Sequence, residues 1–215
     1  NNPTGAIMEI DDLAAISKVL IEHDILVISD EIYAELTYET NHVSIASLPG
    51  MYERTIVLNG FSKAFAMTGW RLGYTLANKE FTAAMNKIHQ YIIMSAPTAA
   101  QYGAIEALHN GDIHVAEMKE AYESRRNFIT KGFNRIGLPT HLPHGAFYIF
   151  PDIRSTGLTS DEFCEKLLAE EKVACVPGTA FGDAGEGFVR VSYAYSIEHI
   201  KEAIERIDHF MRNYR

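Results

Sequence analysis

Ile25-Leu26-Val27-Ile28-Ser29-Asp30 is an apolar run of strand length that ends in an acid, and it follows directly on a segment with helical spacing. From Ile10 to Glu22 the apolar residues fall at Leu13, Ile16 and Leu20, which predicts an amphipathic helix with Asp11 as its N-cap. A short, unbroken apolar run beside such a helix predicts a strand buried on both faces. Thr55-Ile56-Val57-Leu58-Asn59 repeats the pattern, and a third strand is predicted near Arg71 to Ala77. Strand and helix in alternation restrict the first half of the chain to an α/β arrangement.

The character of the chain then changes. Phe81, Met85, Ile88 and Ile92 mark one face of a helix, another helix follows Pro97, and Asp112 to Ile136 reads as one long polar helix. Beyond it Phe147 to Phe150, Val173 to Val176 and Phe188 to Tyr193 are predicted strands. Thr159 with Glu162 forms a capping box for a helix through Phe163, Leu167 and Leu168. Ser196 caps a last helix that aligns Ile197, Ile200, Ile204, Ile207 and Met211. The expected organisation is the remainder of a mostly parallel α/β domain over residues 1–110, then a smaller α+β domain over residues 111–215.

Charge and cysteine usage narrow the function classes. The net charge of -9 comes without any basic stripe, so nucleic acid is not an expected partner. No apolar run reaches membrane-spanning length and no signal-peptide pattern opens the chain, so a membrane is not expected either. Cys164 and Cys175 have neither framework nor metal spacing and sit among apolar neighbours. They are expected as buried free thiols in a reducing cytoplasm. Asn1-Asn2-Pro3-Thr4-Gly5 reads as a turn from the interior of a longer protein.

Ligands of open α/β sheets sit at the carboxyl ends of parallel strands. Asp30 ends the first strand, Tyr33 follows three residues later, and Lys63 lies just past the end of the second. Taken singly, Asp30 reads equally as a turn acid, Lys63 as a surface lysine and Arg71 as half of a surface ion pair. Together they have a chemical use. A lysine amine forms a Schiff base with a carbonyl cofactor, an acid holds a ring nitrogen protonated, and a phenol hydrogen-bonds a ring oxygen. Arg71 adds a fixed cationic fork suited to a phosphate.

Four stretches in order carry a family resemblance: Asn2-Pro3-Thr4-Gly5, Ser29-Asp30-Glu31-Ile32-Tyr33, the thirteen residues from Ser62 to Tyr74, and Phe188-Val189-Arg190-Val191-Ser192-Tyr193-Ala194. They resemble the signatures of the class I aminotransferases, fold-type-I transferases of the aspartate aminotransferase superfamily that depend on pyridoxal 5'-phosphate (PLP), and the chain resembles their C-terminal portion. The resemblance implies that Lys63 holds PLP as an internal aldimine and is the catalytic residue. It implies that Asn2 and Tyr33 hydrogen-bond the phenolic oxygen, that Asp30 pairs with the pyridine nitrogen, and that Arg71 holds the phosphate. Arg190 would clamp the α-carboxylate of the substrate. Amino acid and 2-oxo acid substrates, a homodimer and a cytoplasmic location in amino acid metabolism are implied with it.

Many relatives have a serine three positions before the lysine, where this chain has Gly60, so the phosphate contact is lost or passes to Ser62. The backbone donors, stacking aromatic and partner-subunit tyrosine of the family precede the position of Asn2, so the 215-residue chain is expected to bind PLP poorly. Two other activities share these motifs: a PLP-dependent β-lyase, and a non-catalytic aminotransferase-like effector domain of a transcription regulator. Gly182 to Gly187 reads as a turn, and His141 and His144 lack a third ligand, so no metal site is expected.

Overall fold

Three strands pair around the second apolar run: β1 (Val27–Asp30), β2 (Thr55–Gly60) and β3 (Gly73–Leu76), in the order β1-β2-β3. The geometry comes from a computed structural model of the chain, which describes residues 1–214. β1 and β2 are parallel, with Asp30 opposite Leu58, as the helix-strand alternation requires. β3 is antiparallel to β2, with Gly73 opposite Gly60, so the expected mostly parallel sheet is mixed here. The β2–β3 connection carries only a short 3-10 turn at Thr68–Trp70 and no crossover helix, which leaves the antiparallel return as its outcome.

These strands belong to a compact unit of residues Met8–Lys119. Its α1 (Ile10–Glu22) begins at Glu9, whose N–H donates to the Asp12 carboxylate at 3.2 Å; Asp12, not Asp11, is the acid that caps this end. Leu13 packs with Ile45 and Met51 in a small core. Arg54 donates from Nη1 to the Leu20 and Ile25 carbonyls and so ties the end of α1 to the start of β2. Helices α2 (Lys79–Ile92), α3 (Thr98–Asn110) and the first part of α4 (Asp112–Arg135) complete the unit. The predicted double-sided burial of the first strand is absent: Ile28 is 70% exposed and Leu26 65%.

The second compact unit joins Asn1–Ile7 to Glu120–Arg215. Its sheet has the order β4-β6-β5, from Tyr148–Ile149, Val189–Ser192 and Val176–Pro177, with both pairings antiparallel. Packed on it are α5 (Ser160–Glu171) and α6 (Ile197–Met211), together with the C-terminal turns of α4. The Thr159–Glu162 capping box forms as the sequence predicts, and Ser196 accepts the His199 N–H at 3.3 Å to cap α6. Phe133, Phe163, Leu167 and Phe210 are each 1% exposed or less, in one continuous core. The compositional break expected near residue 110 lies at the α3–α4 junction, whereas the division into compact units falls within α4 and assigns the first seven residues to the second unit.

Candidate active site

In the Met8–Lys119 unit the topology brings three charged residues to one edge of a sheet. Asp30 is the last residue of β1, and its parallel neighbour β2 ends two residues further on, at Gly60. Ser62 and Lys63 therefore leave the same edge. β3 starts opposite Gly60, so Arg71, two residues before it, enters there as well. One Asp30 oxygen accepts the Ile32 N–H at 3.1 Å, which turns the chain and leads to Tyr33. The Lys63 ammonium lies 6.0 Å from the centre of the Tyr33 ring.

The residues around Lys63 explain why one amine sits in a small, apolar segment. Phe61, Ala64 and Met67 are buried, and Lys63 between them is half-buried. Phe61 and Met67 pack on Ala104 of α3, with Phe65 and Leu72 against them. The Phe61 carbonyl accepts the N–H groups of Phe65 and Met67, and Thr68 donates its hydroxyl to the Ser62 carbonyl at 3.1 Å. The loop is thus pinned at both ends by burial and hydrogen bonding. Its apolar residues are anchors and its lysine is what they present.

Gly60 has a local reason. A Cβ there would stand 3.0 Å from the Gly73 Cα and 3.1 Å from the Leu72 carbonyl oxygen, so a side chain at this position presses on the β3 backbone. The chain therefore offers no hydroxyl three positions before Lys63. The Ser62 hydroxyl is left without a hydrogen-bond partner among the described residues. Arg71 adopts a left-handed backbone with φ 55° and donates Nη1 to the Thr68 carbonyl at 3.0 Å. Among the described residues neither Arg71 nor Asp30 has an oppositely charged partner.

Glu31 shapes this edge and was not singled out in the sequence. It is 8% exposed, and its carboxylate accepts hydrogen bonds from Ser29 Oγ at 3.0 Å, Ser44 Oγ at 2.7 Å and His42 Nε2 at 2.8 Å. Burial pushes its pKa up, but the bonds from His42, Ser44 and Ser29 outweigh burial and hold it below the ordinary glutamate value. Glu31 thereby fastens the segment that follows to the strand end that carries Asp30. No local sequence signal marks it, because its partners His42 and Ser44 are eleven and thirteen residues away.

In the other unit, Arg190 lies on the central strand β6, opposite Val176 of β5. Its guanidinium stands 4.6 Å from the Tyr148 ring centre and 5.0 Å from that of Phe181. Nη1 donates to Asn2 Oδ1 at 2.9 Å, while Nε is shielded and hydrogen-bonds to nothing among the described residues. No carboxylate pairs with it there. Asn2 is delivered by Gly5, whose carbonyl accepts the N–H groups of His144 and Gly145. A Cβ at Gly5 would lie 2.3 Å from the Pro143 Cβ, and φ is +69°, so glycine alone allows this docking. The contact of Asn2 with Arg190 joins two of the predicted residues across nearly the whole sequence. His141 and His144 form no metal cluster, and among the described residues no group of three ligands stands together.

Comparison with known proteins agrees with these motifs. The profile of the family "Aminotransferase class I and II" matches residues 1–207. The aspartate aminotransferase of Pyrococcus abyssi is 50% identical over 214 residues, covering 98% of this chain and 55% of that protein. The aromatic-amino-acid aminotransferase 2 of Thermococcus litoralis is 48% identical over 215 residues, covering 99% of this chain and 55% of its own length. The crystal structure of the aromatic aminotransferase from Pyrococcus horikoshii superposes with a TM-score of 0.96 at 50% identity, over 99% of this chain and 58% of that one. The chain spans a little over half the length of these relatives. With a family match over almost all of its residues, the chain belongs to the class I and II aminotransferases.

Proposed function

We propose that the protein carrying this chain is a PLP-dependent aminotransferase that moves an amino group between an L-amino acid and a 2-oxo acid. The observation that carries the reading is the sheet edge where Asp30 ends β1, Lys63 follows β2 and Arg71 precedes β3. The residues suit the group: a half-buried amine, a phenol beside the amine, and an acid and a guanidinium that have no oppositely charged partner among the described residues. Lys63 would hold PLP through its ε-amine, Asp30 would face the ring nitrogen, and Tyr33 the phenolic oxygen. Arg71 and Ser62 would take the phosphate. Bound there, PLP supplies an electron sink for the charge that develops at the substrate Cα.

The chain's own groups do the rest. The Asp30 carboxylate favours a proton on the ring nitrogen. The Lys63 amine would be the group that takes a proton from the substrate Cα and redelivers it. Arg190 would clamp the α-carboxylate: Tyr148 and Phe181 flank its guanidinium, and its Nε–H, which has no partner among the described residues, would donate to that group. A guanidinium only donates, so the Asn2 oxygen faces Arg190 and the Asn2 N–H groups remain available as donors. The reading carries with it a homodimer working in the cytoplasm.

Borohydride reduction of the PLP-loaded protein, followed by peptide mapping, is expected to place the label on Lys63. Label on another lysine overturns the assignment. Lys63→Ala should lower turnover by about 10²–10⁴-fold or more, the range for a lost proton-transfer group. Product analysis separates the readings: a 2-oxo acid formed in step with amination of the co-substrate supports transfer, and release of ammonia identifies a lyase instead.

A further inference from the structure

Cys164 on α5 and Cys175, one residue before β5, have their sulfurs 3.3 Å apart. Both belong to the unit with the continuous core, and both thiols are free. Nothing in the sequence pairs them, since ten residues and the end of a helix intervene. Cys164 is buried at 9% exposure, whereas Cys175 is half-buried and lines a cavity of about 500 Å³ that also touches Val176, Arg190 and Ser192. The cavity gives a small reagent a route to Cys175, whose sulfur touches that of Cys164. A disulfide needs the sulfurs at about 2.05 Å, so an approach of a little over 1 Å closes the bond. No third metal-ligating group stands with them among the described residues.

We propose that Cys164 and Cys175 form a redox-active dithiol that a hydroperoxide converts to an intramolecular disulfide. Either sulfur can donate to the other at this distance; with Cys175 as the donor, its S–H stabilises a thiolate on Cys164 and the Cys175 proton is held in place. The Cys164 thiolate attacks one peroxide oxygen. An S–O bond forms, the O–O bond breaks, and the leaving oxide takes up the proton that Cys164 lost. The Cys175 sulfur then attacks Cys164; the S–S bond forms, the S–O bond breaks, and hydroxide leaves with the Cys175 proton as water. With hydrogen peroxide, two thiols lose two electrons and two hydrogens, and the peroxide is reduced to two waters. The new bond would tie α5 to the residue before Val176, which pairs with Arg190.

The test is to treat the folded protein with hydrogen peroxide, block remaining thiols in denaturant, and digest without reductant. The expected result is a linked pair of peptides containing residues 164 and 175, lighter by two hydrogens than their sum, with the thiol titre falling from 2 to none. Dithiothreitol should restore both thiols. In Cys175→Ser, and equally in Cys175→Ala, the linked pair disappears and Cys164 stops at an oxidised single thiol. Separate, fully alkylated peptides overturn the proposal. So do disulfide-linked dimers on a non-reducing gel, or wild-type protein that passes directly to sulfinic acid.

Discussion

The two compact units are built from similar sequence patterns and end in opposite states. Of the large hydrophobic side chains that lie exposed, all but Phe128, Leu168, Phe181 and Tyr195 belong to Met8–Lys119. Helices α2 and α6 make the contrast sharp. Each carries an apolar stripe at helical spacing, through Phe81, Met85, Ile88 and Ile92 in one and Ile200, Ile204, Ile207 and Met211 in the other. In α6 those four are each 3% exposed or less, whereas α2 has no buried residue and Ile92 is 76% exposed. An apolar stripe states which face of an element seeks cover, and it is silent about what supplies the cover. The Glu120–Arg215 segment, with Asn1–Ile7, supplies its own.

The largest expected effect breaks or upholds that comparison directly. Phe163→Ala removes a ring that is 1% exposed and packed edge-on to Phe210, and should destabilise its unit by about 3–5 kcal/mol. Ile92→Ala, at an exposed site, should change stability by no more than about 0.5 kcal/mol. Urea unfolding of the 215-residue chain, followed by tryptophan fluorescence and by far-UV circular dichroism, measures both; Trp70 reports the open unit alone, whereas the dichroism reports the helices of both units. A comparable loss from the two substitutions would mean that α2 is covered in solution.

A functional version of the contrast uses the two arginines. Arg190 is held by the closed unit between Tyr148 and Phe181, whereas Arg71 is exposed on a loop of the open one. Arg190→Ala in the PLP-loaded protein should lower kcat/KM for amino acids by about 2–5 kcal/mol, the range for truncating one partner of a desolvated charge pair. It should leave PLP affinity nearly unchanged. Arg71→Ala should do the reverse and weaken PLP. Steady-state kinetics with an amino acid and with the matching amine that lacks the carboxylate decide the first point. Equal losses on both substrates would remove Arg190 from carboxylate binding.

What the sequence made legible follows the same division between local and non-local information. The helices of the last hundred residues and the Thr159 and Ser196 caps could be read because each is fixed by residues within one or two turns of itself. Asp30 and Lys63 could be placed at one sheet edge because two apolar runs and the rule of parallel strands suffice, whereas Arg71 joins them only through the antiparallel return of β3. The strands came out shorter than their apolar runs: Ile25 and Leu26 lie outside β1, since pairing with β2 begins only at Thr55. Double-sided burial of β1 could not be read, because the run shows apolar demand and not the neighbour that meets it. Three features were invisible for one reason, that their partners are remote in sequence. These are the Asn2–Arg190 bond, the docking of Gly5 on residues 143–145, and the 3.3 Å approach of Cys164 to Cys175.

Glu31 gives a smaller effect than Phe163 or Arg190 and the finest test, because it is a buried, fully partnered acid inside the otherwise open unit. Replacing it with alanine strands Ser29, Ser44 and His42 without their shared acceptor, and should cost about 1–3 kcal/mol at neutral pH. The pH dependence carries a definite sign. Glu31 has a folded-state pKa below the ordinary value of 4.5, so its contribution is complete above that value and is lost as pH falls through the lowered one. The stability difference between wild type and Glu31→Gln should therefore be constant from neutral pH down to about 5 and shrink below it. Urea unfolding of both proteins across that range measures the difference. A difference that grows on acidification would mean that burial outweighs the three hydrogen bonds. If instead it stays constant down to acid pH, the carboxylate charge has no part in holding the segment. The same substitution should loosen PLP binding in the loaded protein, because the segment that Glu31 fastens to the end of β1 is the one that carries Tyr33 away from Asp30.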